Sequence, residues 1–334
     1  MDDLGTQIAL GVFTSTGLYA LLILSRVDDM PEEAWHLNLA VFIAIILAAI
    51  SLFVLIGFIH LIAVRIQAPE VIRRVTEDLN LALDRLYPEA AESEDSRTEG
   101  NLEVSTLDTE IEVIAKKEGY IQAINHEGLV HYAREKEIFI SLLRKPGDFI
   151  TNGSLIAQCS HKKDLEKISE SVSSFFIVGH TRTPRQDFEC AISELVEVAV
   201  RALSPGTNDP FTTINCIDRL GGVLVRLSRR PYPSNLLRDS EGNARVAIKQ
   251  SEFPAVLDAA FNQIRQNASY HVSVIIRLLE ALEVIGAVVE RAEDVEAVRR
   301  HAELVSRAVE KVADESDRED IQERLGRLKE VLHA

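Results

Sequence analysis

The sequence predicts a membrane α-helical hairpin joined to a cytoplasmic α+β region, in which a small β-rich domain precedes a helical domain. Three observations carry that expectation. Two long apolar runs fall within the first 66 residues. Short apolar runs bounded by Gly, Pro and Asn, the punctuation of strands, fill residues 111–159. Apolar stripes at three- and four-residue spacing, the mark of amphipathic helices, follow to the end. The chain has 334 residues, 46% of them hydrophobic. At roughly 100–200 residues per domain, that is material for about two soluble units beside a membrane part.

The membrane elements come first. Residues 8–24 read "IALGVFTSTGLYALLIL" and residues 37–66 read "LNLAVFIAIILAAISLFVLIGFIHLIAVRI". A bilayer crossing needs about 20 apolar residues, and the second run has no charge before Arg65. The acidic start, Asp2 and Asp3, is unlike the basic leader of a cleaved signal peptide. The connection "SRVDDMPEEAWH" holds one Arg, Arg26, whereas Arg65, Arg73, Arg74 and Arg85 follow the second run. Basic residues accumulate on the cytoplasmic side. Both ends of the hairpin, and all that follows, are therefore expected in the cytoplasm, with Trp35 in the outer interfacial belt. Gly11, Ser15 and Gly17 interleave with Thr14 and Thr16, a small and polar pattern that permits close helix packing or lines a solute path. His60, about one turn before Arg65, reads as an interfacial anchor, an interhelical hydrogen-bonder or a member of that path. Thr14, Ser15, Thr16 and His60 are the membrane-path candidates.

Residues 1–66 are thus assigned to the hairpin and 67–88 to a juxtamembrane amphipathic helix, with Val71, Val75, Leu79 and Leu83 (or Ala82) on one face. Residues 89–104 are an acidic linker, 105–162 a small β-rich domain and 163–334 a mainly helical domain. Strands are expected at 111–115, 120–124, 138–142 and 155–159, with turns at "KPGDF" and "TNG" where Pro presets φ and Gly accepts positive φ. The stretch "GDFITNGSLIA" resembles the half-motif of biotinyl- and lipoyl-type domains, which makes the β domain barrel-sandwich-like. No Met-Lys hairpin carries a modifiable lysine, so the resemblance implies docking or rigidity instead of a swinging arm.

In the helical part, Phe188, Ile192, Leu195, Ala199 and Leu203 form one stripe, and Phe211, Ile214, Ile217, Gly221 and Leu224 another. Gly221 and Gly222 would allow helices to approach closely. "SRRPYPSNLLRDSEGNARVAI" breaks the helices and is expected to hold a short strand or hairpin. Two later stripes, Ile275 to Val289 and Val298 to Val312, suit antiparallel packing within the subunit, with pairing between subunits beside it.

The corner "SPGTNDP" joins the first two stripes. Gly206 is expected to end one helix in left-handed geometry. Asp209 would cap the next, with Pro210 at its first position. Capping gives Asn208 no task. Arg182, Gln186 and Asp187 precede the first helix, Arg201 ends it, and Asp218 lies on the second. Arginines beside a helix start can hold an anion, and paired carboxylates can hold a cation or move protons. Arg182, Gln186, Asp187, Arg201, Asn208, Asp209 and Asp218 are therefore the ligand-binding candidates. No nucleophile elbow, phosphate loop, metalloprotease motif or dinucleotide fingerprint accompanies them. Cys159, Cys190 and Cys216 lack metal or redox spacing. No catalytic residue, metal or cofactor is expected. The net charge of −16 argues against a nucleic-acid partner.

These residues resemble a bacterial family of predicted membrane proteins, domain of unknown function 2254. The likeness rests on "LGVFTSTGLYALLIL", "FIHLIAVRIQ", "GYIQAI", "RKPGDFITNG" and "RTPRQDFECAISELVEVAVRALSPGTNDPFTTINCIDRL". It implies a multi-pass protein of the bacterial inner membrane with a cytoplasmic soluble region, in contact with the lipid bilayer; the heptad-like stripes add a homo-oligomer to the expected partners. Members usually carry a further pair of membrane helices upstream, so either a shortened start or a member with fewer spans is expected. The resemblance implies no activity. A transport- or channel-like assembly with a cytoplasmic gating or sensing domain is the first functional expectation. A membrane-anchored regulator or scaffold that binds a ligand or partner through residues 182–218 is the second, and an enzyme on that region the third.

Overall fold

The two N-terminal apolar runs form helices α1 (Leu4–Val27) and α2 (Trp35–Arg65). The computed structural model describes residues 4–27, 35–65, 68–89, 110–160, 165–268, 271–309, 312 and 314–333. Within α2, Leu39–Ile59 has a mean hydropathy of 3.2 over 21 residues. At about 1.5 Å per residue this stretch reaches roughly 32 Å, which matches a hydrocarbon core of about 30 Å. Its large side chains, Phe42, Phe53 and Ile56 among them, point outward, as lipid requires. The apolar part of α1, Ala9–Ser25, is shorter, because Thr, Ser and Gly interrupt it. One helix among the described residues is therefore long and apolar enough to cross, where two spans were expected. The Tyr19 hydroxyl donates to the Ala40 carbonyl at 3.4 Å, joining α1 to α2. Gly11 and Gly17 do not mediate that contact, since a Cβ on either would meet nothing within 4 Å.

The chain divides into two compact units, Met1–Val71 and Ile72–Ala334. Helix α3 (Ala68–Leu86) crosses that division in sequence. Ile72, Leu79, Ala82 and Leu83 are its buried face, so the stripe turns slightly from the expected Val71 and Val75. Within the second unit α3 is pinned to α7 (Pro210–Ser228) and the residues just after it. The buried Arg230 guanidinium donates to the Tyr87 carbonyl at 2.7 Å and to Asp84 at 2.6 Å. Arg226 donates to Asp84 at 2.8 Å. The acidic linker lies, apart from Glu89, outside the described residues.

The expected strands appear as β1 (Glu110–Ile114), β2 (Gly119–Ile124), β3 (Phe139–Leu142) and β5 (Leu155–Ser160), with a short β4 (Phe149–Ile150) beside the "KPGDF" turn. They are not alone. β6 (Phe176–Gly179), which follows α5 (Leu165–Ser174), and the hairpin β7 (Leu236–Arg238) and β8 (Ala244–Ala247) join them from later in the chain. One sheet runs β1-β5-β3-β8-β7 and a second runs β4-β2-β6. The β3–β8 pair is parallel and the others are antiparallel. This is a mixed pair of sheets around one core, including Val113, Ile121, Ile140, Ala157 and Val246, in place of a self-contained barrel-sandwich. Helix α4 (His126–Lys136) has no counterpart in the sequence reading. Asn125 caps it by accepting from the Gly128 amide, and Glu137 closes it in left-handed geometry at φ 52°.

The remaining helices build a second core: α6 (Phe188–Ala202), α7, α8 (Phe253–Asn267), α9 (Val272–Gly286), α10 (Ala292–Val309) and α11 (Glu315–His333). Every member of the first stripe and of the Ile275–Val289 stripe is buried, within the chain's own core. Each fully buried Leu or Ile there contributes about 1.5–3 kcal/mol. The second stripe departs at Phe211, which is 80% exposed. Thr213, Cys216, Leu220 and Val223 take up the inward face instead. Gly222 has open space around it, and a Cβ on Gly221 would only touch Ala281.

Candidate functional site

Asp187 is the hinge between two of the quoted motifs. Its backbone is extended, and its side chain caps α6 by accepting from the Cys190 amide at 3.0 Å. The same carboxylate receives a two-toothed grip from Arg182, with Nε donating to Oδ2 at 2.7 Å and Nη2 to Oδ1 at 2.9 Å. Only 4% of Asp187 is exposed, so this charge-assisted pair is stronger than a surface bridge. The bond to Asp187 raises the Arg182 pKa further. Gly147 of the "KPGDF" turn lies on the pair with φ 96°, and a Cβ there would stand 2.2 Å from Asp187 Oδ2. Gln186 uses its amide as a piece of strand. Its Oε1 accepts from the Ile124 amide at 2.8 Å and its Nε2 donates to the Ile124 carbonyl at 3.2 Å. Three predicted residues thus meet, tied to the end of β2 through Ile124.

The others stand elsewhere. Arg201 pairs with Glu197 on an exposed face of α6. It ends a 15-residue helix, about 20 Å from Asp187. Asp209 is the N-cap of α7, accepting from the Thr212 amide at 3.2 Å and from its hydroxyl at 2.6 Å, with Pro210 in the first turn. Those bonds from Thr212 lower its pKa. The left-handed residue of the corner is Asn208, at φ 48°, and not Gly206. Asn208 therefore has a backbone task that capping rules do not show. Asp218 pairs with Arg277 on α9, and Arg277 also reaches Glu280 at 2.9 Å. On α1, the Thr14 hydroxyl donates back to the Leu10 carbonyl at 2.7 Å. Thr14 and Ser15 are exposed in this chain and Thr16 is half-buried. The side chain of His60 lies outside the described residues.

The arrangement around Gln186 opens into a cavity of about 360 Å³. Its apolar wall includes Leu86, Phe188, Pro233, Leu237 and Ile248. Its charged members are Arg85, Lys145 and Lys249, and no carboxylate is among the described lining residues. Lys145 is committed, donating to Glu189 at 2.5 Å and to the Ser251 hydroxyl at 2.8 Å, while that hydroxyl donates to Glu189 at 2.7 Å. Arg85 spends one N–H on the Pro184 carbonyl at 2.9 Å. Lys249 is exposed. Tyr87 also lines it, its hydroxyl donating to the Ser251 carbonyl at 2.6 Å and its ring edge-on to Phe188. Burial raises the Tyr87 pKa and lowers that of His126, which also lines the cavity. At neutral pH His126 is an uncharged donor or acceptor. Lys145, Ser251 and Tyr87 were not candidates. For Lys145 the signal was the family-like "RKPGDF" stretch, since a lysine entering a Pro-Gly turn is held at a fixed place; no local pattern marked Tyr87 or Ser251. The three cysteines are buried, and burial pushes the Cys159 and Cys216 thiols up to about 12.

Residues 1–284 match a family described as "Predicted membrane protein (DUF2254)". The chain belongs to this family. Uncharacterized proteins of Mycobacterium tuberculosis and Mycobacterium bovis are similar to it, at 27% identity over 339 residues. The match covers 99% of this chain and 64% of each relative, so the chain spans just under two thirds of their length. No solved structure matches. Membership of the DUF2254 family establishes a membrane protein and carries no activity with it.

Proposed function

We propose that this DUF2254 protein is a membrane-anchored regulator: a two-helix hairpin in the bacterial inner membrane and a cytoplasmic region that responds to a small ligand. The cavity at the end of α3 carries the reading. α3 follows the apolar helix α2 in the chain, and its last turn supplies Arg85 and Leu86, with Tyr87 next, to the cavity wall. A ligand there touches the segment that leads to the membrane. Arg182, Gln186 and Asp187 then serve as the frame of the site. The acidic charge speaks against nucleic acid as the partner.

A transport-like assembly gated by that region is the second reading. Thr14 and Ser15 stand exposed on α1 of a single chain, and hydroxyl-bearing faces in a bilayer favour another helix over lipid. That supports a homo-oligomer, with or without a path through it. The test is hydrogen exchange on the full chain in lipid nanodiscs, followed at residues 79–87 with and without millimolar benzoate. A regulator gains protection there on ligand binding. A probe that occupies the cavity without changing that protection defeats the regulatory reading. Ion flux in liposomes, present or absent, decides between the two assemblies.

A further inference from the structure

The cavity also indicates what it would bind. We infer that it takes a small organic anion: one negatively charged head on a compact apolar body. The inference rests on the cavity being a ligand site, and not on its controlling the membrane segment. The sign follows from the wall. The chain carries 52 acidic and 36 basic residues, yet the described lining residues include three cations and no carboxylate. Glu189 stands behind Lys145 and neutralises it. Among the described lining residues, Arg85 and Lys249 remain without a carboxylate partner, and Arg85 keeps N–H groups beyond the one given to Pro184. A cationic ligand here would meet both, with no carboxylate among the described lining residues to offset them.

The apolar body follows from the rest of the lining. Leu86, Phe188, Pro233, Leu237 and Ile248 offer no hydrogen bond from their side chains, so a bare inorganic anion would leave that surface wet. The volume of about 360 Å³ sits at the small end of the roughly 300–1,000 Å³ seen for ligand pockets. One ring or a short branched chain fits. Neutral groups beside the cations, among them His126 and Gln250, can bind a carboxylate or a phosphate head alike. The shared chemistry is the anionic head.

Fluorine NMR on the full chain in nanodiscs tests this with four probes: para-fluorobenzoate, para-fluorobenzyl phosphate, para-fluorobenzamide and inorganic phosphate as competitor. At low salt at least one of the two aromatic anions should bind roughly three- to fivefold tighter than the amide, the scale of a partly screened ion pair. Which of the two leads distinguishes the head groups. Added salt should shrink the preference. Lys249→Gln, an exposed change that leaves the fold alone, should remove most of it. Gln250→Trp should fill the cavity and weaken all aromatic probes together. Equal binding of anion and amide overturns the anionic class. Displacement by inorganic phosphate at equal concentration overturns the apolar body. Binding that ignores both substitutions, or no binding of any probe, overturns the site. None of these results depends on protection at α3, so the inference and the regulatory reading fail separately.

Discussion

At the scale of single residues, the corner 204–210 shows how a backbone need and a side-chain need divide between neighbours. Asn208 supplies the left-handed turn, and the amide of Asp209 donates to the Ala202 carbonyl at 2.8 Å. Asp209 then caps α7. Asn208→Gly should melt like the parent, because Gly adopts positive φ without penalty. Asn208→Val should cost about 1–2 kcal/mol. Asp209→Asn keeps the cap and should cost at most a few tenths of a kcal/mol, whereas Asp209→Ala should cost about 1 kcal/mol. Thermal melts of the four variants check this. A melt of Asp209→Ala indistinguishable from the parent would remove the cap from the account. The sequence made Asp209 and Pro210 legible because capping is local. It misassigned the left-handed position, because Gly206 and Asn208 both tolerate it and only closure of the loop chooses.

At the scale of elements, the helical stripes were legible wherever burial follows 3.6-residue spacing, as in α6 and α9. They failed at Phe211, one residue after Pro210, where the start of α7 faces solvent. The sheets were legible only as strands. Their order depends on β6, β7 and β8, which arrive from beyond residue 175, and no local pattern announces a long-range pair. The contact of α8 with α10 was equally hidden. His301 on α10 is 1% exposed, and its Nε2 lies 2.8 Å from Asp258 on α8. Arg300 donates to the same carboxylate at 2.7 Å, Phe261 stands edge-on to the ring, and Arg265 also bears on it. Burial lowers the His301 pKa below the usual 6.5, against the pull of Asp258. The folded state therefore holds this proton less well than the unfolded chain. The stabilising effect is complete above about pH 6.5 and fades as pH falls towards the folded value. Between about pH 7.5 and about pH 5.5 the parent should lose more melting temperature than His301→Gln, whose amide can still donate to Asp258. Parallel losses in the two proteins would show that another group sets the acid limit.

At the scale of the whole molecule, the candidate site was half legible. Arg182, Gln186 and Asp187 come together as their place before α6 suggests, and the "KPGDF" turn reaches them from residue 147. Arg201, Asn208, Asp209 and Asp218 were grouped with them by sequence proximity, but a straight helix carries its two ends apart.

Topology remains the molecule-wide claim most open to direct measurement. One Arg, Arg26, lies between the apolar stretches Ala9–Ser25 and Leu39–Ile59, and Arg65, Arg73, Arg74 and Arg85 follow the second. Such an excess retains its side of the bilayer on the cytoplasmic face, so residue 32 should face outward and residue 93 inward. Single cysteines, Glu32→Cys and Ser93→Cys, can report this in intact cells with a membrane-impermeant maleimide. The native thiols interfere little. All three are buried, and those of Cys159 and Cys216 ionise only near pH 12, whereas maleimide reacts with the thiolate. Glu32→Cys should label before lysis, and Ser93→Cys only after it. The reverse order would invert the protein and place the α3 cavity outside the cell. Labelling of both before lysis would mean that the shorter apolar helix, α1, crosses while α2 does not, and the hairpin would fall.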